Sequence, residues 1–229
     1  MRSTDRLRPL TYLVCIFSFV TAILLGVGSV LDVHGVSLLK KVAAHEFKDA
    51  PSMRASLHAT AVDITLVHSL VVIFYILSCL SVLLWMYESF KILQTIKTRP
   101  LDITPGWAVG WWFVPIANFV MPCRAMLELW IGSDSSEDWI RTGFTIPVRI
   151  WWTLWLLGNF VTVFAGFFRG TSHELSRYAS YLELLASAKL AHVFGALMLV
   201  YVVIRIFKMQ SITIQNREEQ SDMAIGNAE

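Results

Sequence analysis

The sequence predicts an all-α, polytopic membrane protein with four transmembrane helices and a Trp- and Pro-rich segment that is re-entrant or interfacial on the cytoplasmic side. Three observations predict it: a composition too apolar for a soluble domain, four runs of membrane-crossing length with charges only near their ends, and a further apolar stretch interrupted by prolines and glycines. Of 229 residues, 55% are hydrophobic and 16% charged, and the mean hydropathy is +0.58. Soluble domains carry roughly 25% charged and about 45–50% apolar residues. A net charge of +2, from 19 Lys and Arg against 17 Asp and Glu, is too small to recruit nucleic acid, and no basic block with interleaved aromatics is present. Cys15, Cys79 and Cys123 lack the close spacing of metal or redox motifs and read as packing thiols.

The first span is expected at residues 10–31, an uncharged run of 22 residues that covers a hydrocarbon core of about 30 Å at 1.5 Å per residue. It follows Arg2, Arg6 and Arg8 and so imitates a signal peptide. Its apolar region exceeds the roughly 7–15 residues of a cleavable signal, and Gly26, Gly28 and Ser29 make a poor cleavage site, so it reads as an uncleaved span. The other spans are expected at residues 64–87, 146–168 and 184–207, within one membrane domain of residues 1–208. Val36, Leu39, Val42, Ala43 and Phe47 recur near helical spacing and suggest a short amphipathic helix on the outer surface. The second helix is expected to start after Pro51 and run through Lys97, stopping before Pro100. Thr171 and Glu174 fit a capping box ahead of the fourth span, and the polar tail, residues 209–229, reads as disordered and cytoplasmic.

Basic residues near spans stay in the cytoplasm. With four spans, twelve Lys and Arg fall on the side of both termini and seven on the other, which places the termini in the cytoplasm. If residues 105–131 formed a fifth span the split would be nine against ten and the bias would vanish. That segment is therefore expected to enter and leave on the cytoplasmic side.

The segment itself holds Pro105, Gly106, Trp107, Gly110, Trp111, Trp112, Pro115, Asn118, Pro122, Arg124, Glu128 and Trp130. Proline lacks the N–H that a helix needs, and backbone left unbonded in lipid is costly, so either Asn118 or a facing helix is expected to satisfy what the prolines free. Freed carbonyls facing a ligand or ion, as in transporters built on broken helices, are the alternative for residues 105–122. Tryptophans collect at the membrane interface, and the Trp107–Trp111 and Trp151–Trp155 spacings place both pairs there. Arg124 and Glu128 are four apart on a predicted helix and are expected to pair.

Outside that segment, Ser187, Ala191 and Gly195 form a small-residue face for close helix packing, within the chain or between copies. His68, Tyr75 and Ser78 share a face of the second span that should point into the bundle. All six histidines fall on the outer side, where His68 and His192, with Asp63 nearby, are the best-placed pair for a metal, haem or proton site. No His-x-x-x-His or Glu-x-x-His pair fixes two ligands on one helical turn. Asp134, Glu137 and Asp138, among Ser133, Ser135 and Ser136, read as a solvated cap and turn. No nucleophile elbow, phosphate-binding loop, dinucleotide fingerprint or zinc-protease motif is present, and no catalytic residue or cofactor is expected.

The run Thr104, Pro105, Gly106, Trp107, Ala108, Val109, Gly110, Trp111, Trp112, Phe113, Val114, Pro115, with Asn118, Pro122, Glu128, Trp130 and Ser133, closely resembles the signature of the bacterial membrane family called domain of unknown function 4328. Trp85, Tyr87, Trp151, Trp152, Trp155, Val203, Arg205 and Gln210 also look like that family, and the resemblance covers about residues 61–210. The chain departs from it where a basic run is reduced to Glu88 and Lys91, and where a basic-Pro-Tyr triplet reads Met121, Pro122, Cys123. The resemblance implies bacterial inner-membrane residence and supplies no activity. The expected function is that of a non-enzymatic helical bundle with a scaffolding, sensing, lipid- or partner-binding role. Its expected partners are the lipid bilayer and either a second copy or another membrane protein. The alternatives are a small transporter or channel, against which the uncharged span centres and the lack of an inverted repeat count, and a haem or metal redox protein.

Overall fold

The computed structural model describes residues 3–96, 101–133, 145–169 and 175–226. The helices are α1 (Ser3–Ala43), α2 (Ala50–Ile96), α3 (Pro105–Gly110), α4 (Met121–Ser133), α5 (Ile146–Arg169) and α6 (Leu175–Gly226), with two 3-10 turns between α3 and α4, and no strand occurs among the described residues. Four of them, α1, α2, α5 and α6, are long and apolar enough to cross a membrane. The Trp- and Pro-rich segment supplies no fifth, since its longest helix, α4, has 13 residues and covers only about 20 Å.

The long helices outrun the apolar runs that announce them. The 41 residues of α1 absorb Val36, Leu39 and Val42, for which a separate surface helix was expected. Gly35 does not interrupt α1 because it serves packing: a Cβ there would lie 3.2 Å from Leu182 Cδ1 and 3.6 Å from Ile64 Cδ1. Residues 209–226, expected as a disordered tail, continue α6 to Gly226. Tertiary bonds hold them: Thr213 Oγ1 donates to the Ser133 carbonyl at 3.3 Å, and the Arg217 guanidinium donates to the carbonyls of Thr95 and Ile96. A cation on the unpaired carbonyls at the end of α2 also complements that helix's dipole. The capping box at Thr171 and Glu174 and the turn at Asp134, Glu137 and Asp138 lie outside the described residues.

Asp49 starts α2. Its carbonyl accepts the Ser52 hydroxyl at 3.0 Å, and its Oδ1 accepts the Ser52 N–H at 2.7 Å, a bond that holds the carboxyl below the usual carboxylate range. A carboxylate bonded in the folded state stabilises it above the unfolded-state pKa and loses that contribution as pH falls through the folded value. Asp49→Ala is therefore expected to lower the thermal midpoint at neutral pH and to shrink the gap from wild type under acid, as measured by thermal unfolding at both pH values.

Side chains are distributed inside-out. The buried positions of α1 include Leu7, Thr11, Val14, Ser18, Thr21, Leu25, Gly28, Asp32, Gly35 and Leu39, alternating steps of four and three, while Leu13, Ile16, Phe19, Ile23, Val27 and Val30 are exposed. A 3.5-residue period is that of a left-handed helix seam. Small and polar residues inside with large apolar ones outside is what lipid, itself apolar, selects in place of water.

Contacts divide the chain into two units, Met1–Phe17 with Ser78–Ile150 and Met198–Glu229, and Ser18–Leu77 with Trp151–Leu197. The first centres on Trp85, Met86, Phe90, Leu93, Met126, Leu129, Val202 and Ile206, all fully buried. Polar ties run through it: the Trp85 indole donates to Thr11 Oγ1 at 3.1 Å, and buried Gln210 accepts from the Ser89 hydroxyl and donates to the Ser89 carbonyl, both at 3.1 Å. The second unit is built from segments of α1, α2, α5 and α6.

Candidate functional site

In the first unit the Trp- and Pro-rich segment folds by placing each proline where a missing N–H is harmless. Thr104 caps α3, its hydroxyl accepting the Trp107 N–H at 3.4 Å, and Pro105 takes the first helical turn. Val114, ahead of Pro115, is extended at φ −96° and ψ 110°, the conformation that a following proline favours. The Asn118 N–H then bonds the Val114 carbonyl at 2.8 Å, closing a turn around Pro115. Pro122 is the second residue of α4, again in a first turn. The turns thus bond Asn118 through its backbone; its side-chain Oδ1 is buried and accepts nothing.

Arg124 and Glu128 do not pair with each other. Both reach back to Asp102 ahead of the segment: Arg124 Nη2 stands 3.5 Å from Asp102 Oδ2, and Glu128 Oε1 accepts the Asp102 N–H at 2.8 Å. This clamp ties the entry of the segment to α4. α4 buries Pro122, Ala125, Met126, Leu129, Trp130 and Ser133, a helical stripe, and Trp130 meets Tyr201 of α6 at 6.5 Å between ring centroids. Trp107 and Trp111 stack at 4.5 Å, and a Cβ on Gly110 would press on the Trp107 ring at 3.3 Å. Gly106 has open space around it, and Trp112 is half-buried. With the backbone closed and the stripe covered, Phe113 and Ile116 are 73% and 85% exposed, flanked by exposed Trp107, Val114, Phe119 and Val120. Burial raises the Cys123 thiol, against the opposing effect of the Arg149 guanidinium, so little thiolate is present at neutral pH.

In the second unit the helix contacts fall differently from expectation. Of Ser187, Ala191 and Gly195, only Gly195 is buried, where its missing Cβ would meet Leu154 at 3.6 Å and the Trp155 backbone at 3.7 Å; Ser187 is exposed. His192 rests on Gly158, whose absent Cβ would lie 2.6 Å from Nε2, and meets Tyr75 edge-on at 6.4 Å. The Tyr75 hydroxyl accepts the Trp155 indole N–H at 3.0 Å, and Trp155 stacks on Trp152 at 4.7 Å. His68, expected to point into the bundle with Tyr75 and Ser78, is exposed, whereas Tyr75 is half-buried and Ser78 buried. Among the described residues, no group of three or more His, Cys, Asp and Glu side chains is placed to hold a metal ion.

Asp32 and Lys189 are what sequence reasoning missed. Lys189 Nζ bonds Asp32 Oδ2 at 2.6 Å and the Gly28 carbonyl at 3.3 Å, with Asp32 0% and Lys189 8% exposed. Each looked like a charge at the edge of an apolar run, but the long helices place both inside a seam. Gly28 makes room for the lysine, since a Cβ there would lie 3.2 Å from Nζ, and the Ser29 hydroxyl ties α1 to the Ala186 carbonyl of α6 at 3.1 Å. The only signal in the sequence is an acid and a base that two different apolar runs carry near their ends; nothing in it pairs residues 157 positions apart.

Compared with known proteins, residues 49–208 match the family model described as a domain of unknown function (DUF4328). No curated protein and no solved structure matches the chain.

Proposed function

Given that the chain belongs to the DUF4328 family, whose description names no activity, we propose that it is a non-enzymatic membrane bundle with a built-in lipid-docking platform. The platform is the exposed apolar surface of residues 107–120, and its occupant is the bilayer interface. The observation that carries this reading is the combination of Ile116 and Phe113 facing outward with a segment that Asp102, Arg124 and Glu128 hold in place. A contiguous apolar surface on a fixed support is costly in water and stable against lipid. Stacked Trp107 and Trp111 suit the headgroup boundary, where a ring with a polar N–H is at ease.

The platform faces the cytoplasm in this reading, as do both termini. Taking the buried Lys189 out of the outer count leaves twelve basic residues against six, a stronger bias than the sequence alone offered. A terminal reporter that responds on the opposite side would reverse the assignment.

The test replaces the native cysteines by alanine and places an environment-sensitive fluorophore on Ile116→Cys or, as control, on Gln220→Cys at the exposed polar end of α6, in nanodiscs. Lipids spin-labelled near the headgroup are expected to quench the probe at 116, and aqueous iodide the probe at 220. Iodide quenching at 116 equal to that at 220 would mean a solvent-facing segment. Protection of 116 from both quenchers would mean a protein cover instead of lipid. Either result overturns the lipid platform.

A further inference from the structure

We propose that the cleft between the C-terminal end of α1 and the start of α6 binds the head group of a zwitterionic phospholipid, which inserts between Lys40 and Glu183 with its phosphate on the lysine and its ammonium on the glutamate.

In the second unit α1 and α6 run antiparallel. Gly28 and Gly35 of α1 meet Lys189 and Leu182 of α6, and farther along Lys40 Nζ stands 3.4 Å from Glu183 Oε1. Val36, Leu39 and Leu182 form a small buried core there, with Leu57, Ala179 and Tyr181 packed against it. Beside that core a cleft of about 330 Å³ stays open, within the roughly 300–1,000 Å³ of small-molecule sites. The space exists because Ala43 and Ala179 line it with short side chains, and with Leu39 and Leu175 they make its walls apolar. Its charged lining groups are Lys40 and Glu183, one of each sign.

These two features together select the occupant. The Lys40 and Glu183 side chains are 71% and 56% exposed, and an ion pair in that much water contributes little, so it opens at low cost. A ligand that carries both charges gives each side chain a new partner. An anion alone would strand Glu183, a cation alone would strand Lys40, and like charges held together are unfavourable. The apolar walls ask for more than a free zwitterion: the glyceryl group and first methylenes of a lipid bury surface against Leu39 and Ala179. Height agrees as well. Lys40 and Glu183 each stand seven residues, about 10 Å, past an exposed apolar side chain, Val33 on α1 and Leu190 on α6, which is the level where head groups meet water. The site is separate from the apolar surface of residues 107–120 and does not depend on it.

Native mass spectrometry of the full chain tests this, with the protein released from detergent micelles that hold ethanolamine- and glycerol-headed phospholipids of the same acyl chains in equal amounts. The zwitterionic ethanolamine lipid is expected to be retained over the anionic glycerol lipid by about three- to fivefold, the size of effect that exposed charge pairs give. Glu183→Lys sets two cations at the cleft and is expected to reverse the preference. Lys40→Glu combined with Glu183→Lys restores one charge of each sign and is expected to restore it. Both positions are exposed, so these variants are expected to fold as wild type does. Ala179→Trp fills the cleft and is expected to remove the preference altogether. Equal retention of the two lipids by wild type, or a preference that Glu183→Lys leaves unchanged, overturns the proposal. So does a mass of two chains in place of the lipid-bound one, lost in Ala179→Trp, which would seat a second copy in the cleft.

Discussion

Replacing Trp85 by alanine is expected to lower stability by about 3–5 kcal/mol, the range for deleting a fully buried aromatic side chain. Trp85 is 0% exposed, and its indole N–H donates to Thr11 Oγ1, whose own hydroxyl donates to the Leu7 carbonyl at 2.9 Å. The substitution therefore removes an aromatic anchor from the first unit's core and a polar tie between α2 and α1 together. Trp85→Phe keeps most of the apolar volume and loses only the tie and the outer ring, so it is expected to fall between wild type and alanine. Equilibrium unfolding in mixed micelles measures both. A Trp85→Ala protein within about 0.5 kcal/mol of wild type, the level of surface substitutions, would contradict the placement of this ring.

The second large effect belongs to Lys189. Lys189→Met alone strands the Asp32 carboxylate in the seam, and breaking one side of a buried ion pair costs about 3–5 kcal/mol. Asp32→Leu alone strands the lysine instead. Lys189 has a long stem and can carry its charge toward the surface, so the aspartate-side substitution is expected to be the milder of the two. The double variant restores charge balance with apolar groups and is expected to return to within about 1–2 kcal/mol of wild type, because desolvating two ions offsets much of their attraction. The double-mutant cycle thus yields a strongly favourable coupling. Single variants whose losses simply add in the double would show that the two side chains do not meet.

Much of the architecture is legible from residue order alone, because the features that specify it are local. Residues 10–31 and their counterparts are apolar for longer than a hydrocarbon core, and that length specifies helices long and apolar enough to span one. The prolines at 105, 115 and 122 forbid one long helix through the Trp-rich segment, and the structure has short turns there. Local rules also misled. Periodicity marked residues 36–47 as a separate element, although nothing in them stops α1 before Ala43. Low hydrophobicity marked residues 209–226 as disordered, although Arg217 and Thr213 hold that stretch against α2 and α4. Helical spacing paired Arg124 with Glu128, although both turn to Asp102, a residue with no motif of its own.

The sequence by itself determined that this chain has four helices long and apolar enough to cross a membrane, and that prolines break its third apolar stretch into short pieces. Those conclusions rest on length, hydropathy and the backbone chemistry of proline, which act over a few turns of chain. Only the tertiary structure decided which polar groups share a seam. Asp32 and Lys189 meet because α1 and α6 pack with glycine and alanine between them, and no short-range rule links the two. The energy of a charge inside such a seam depends on what stands opposite it, and sequence order carries no record of that neighbour.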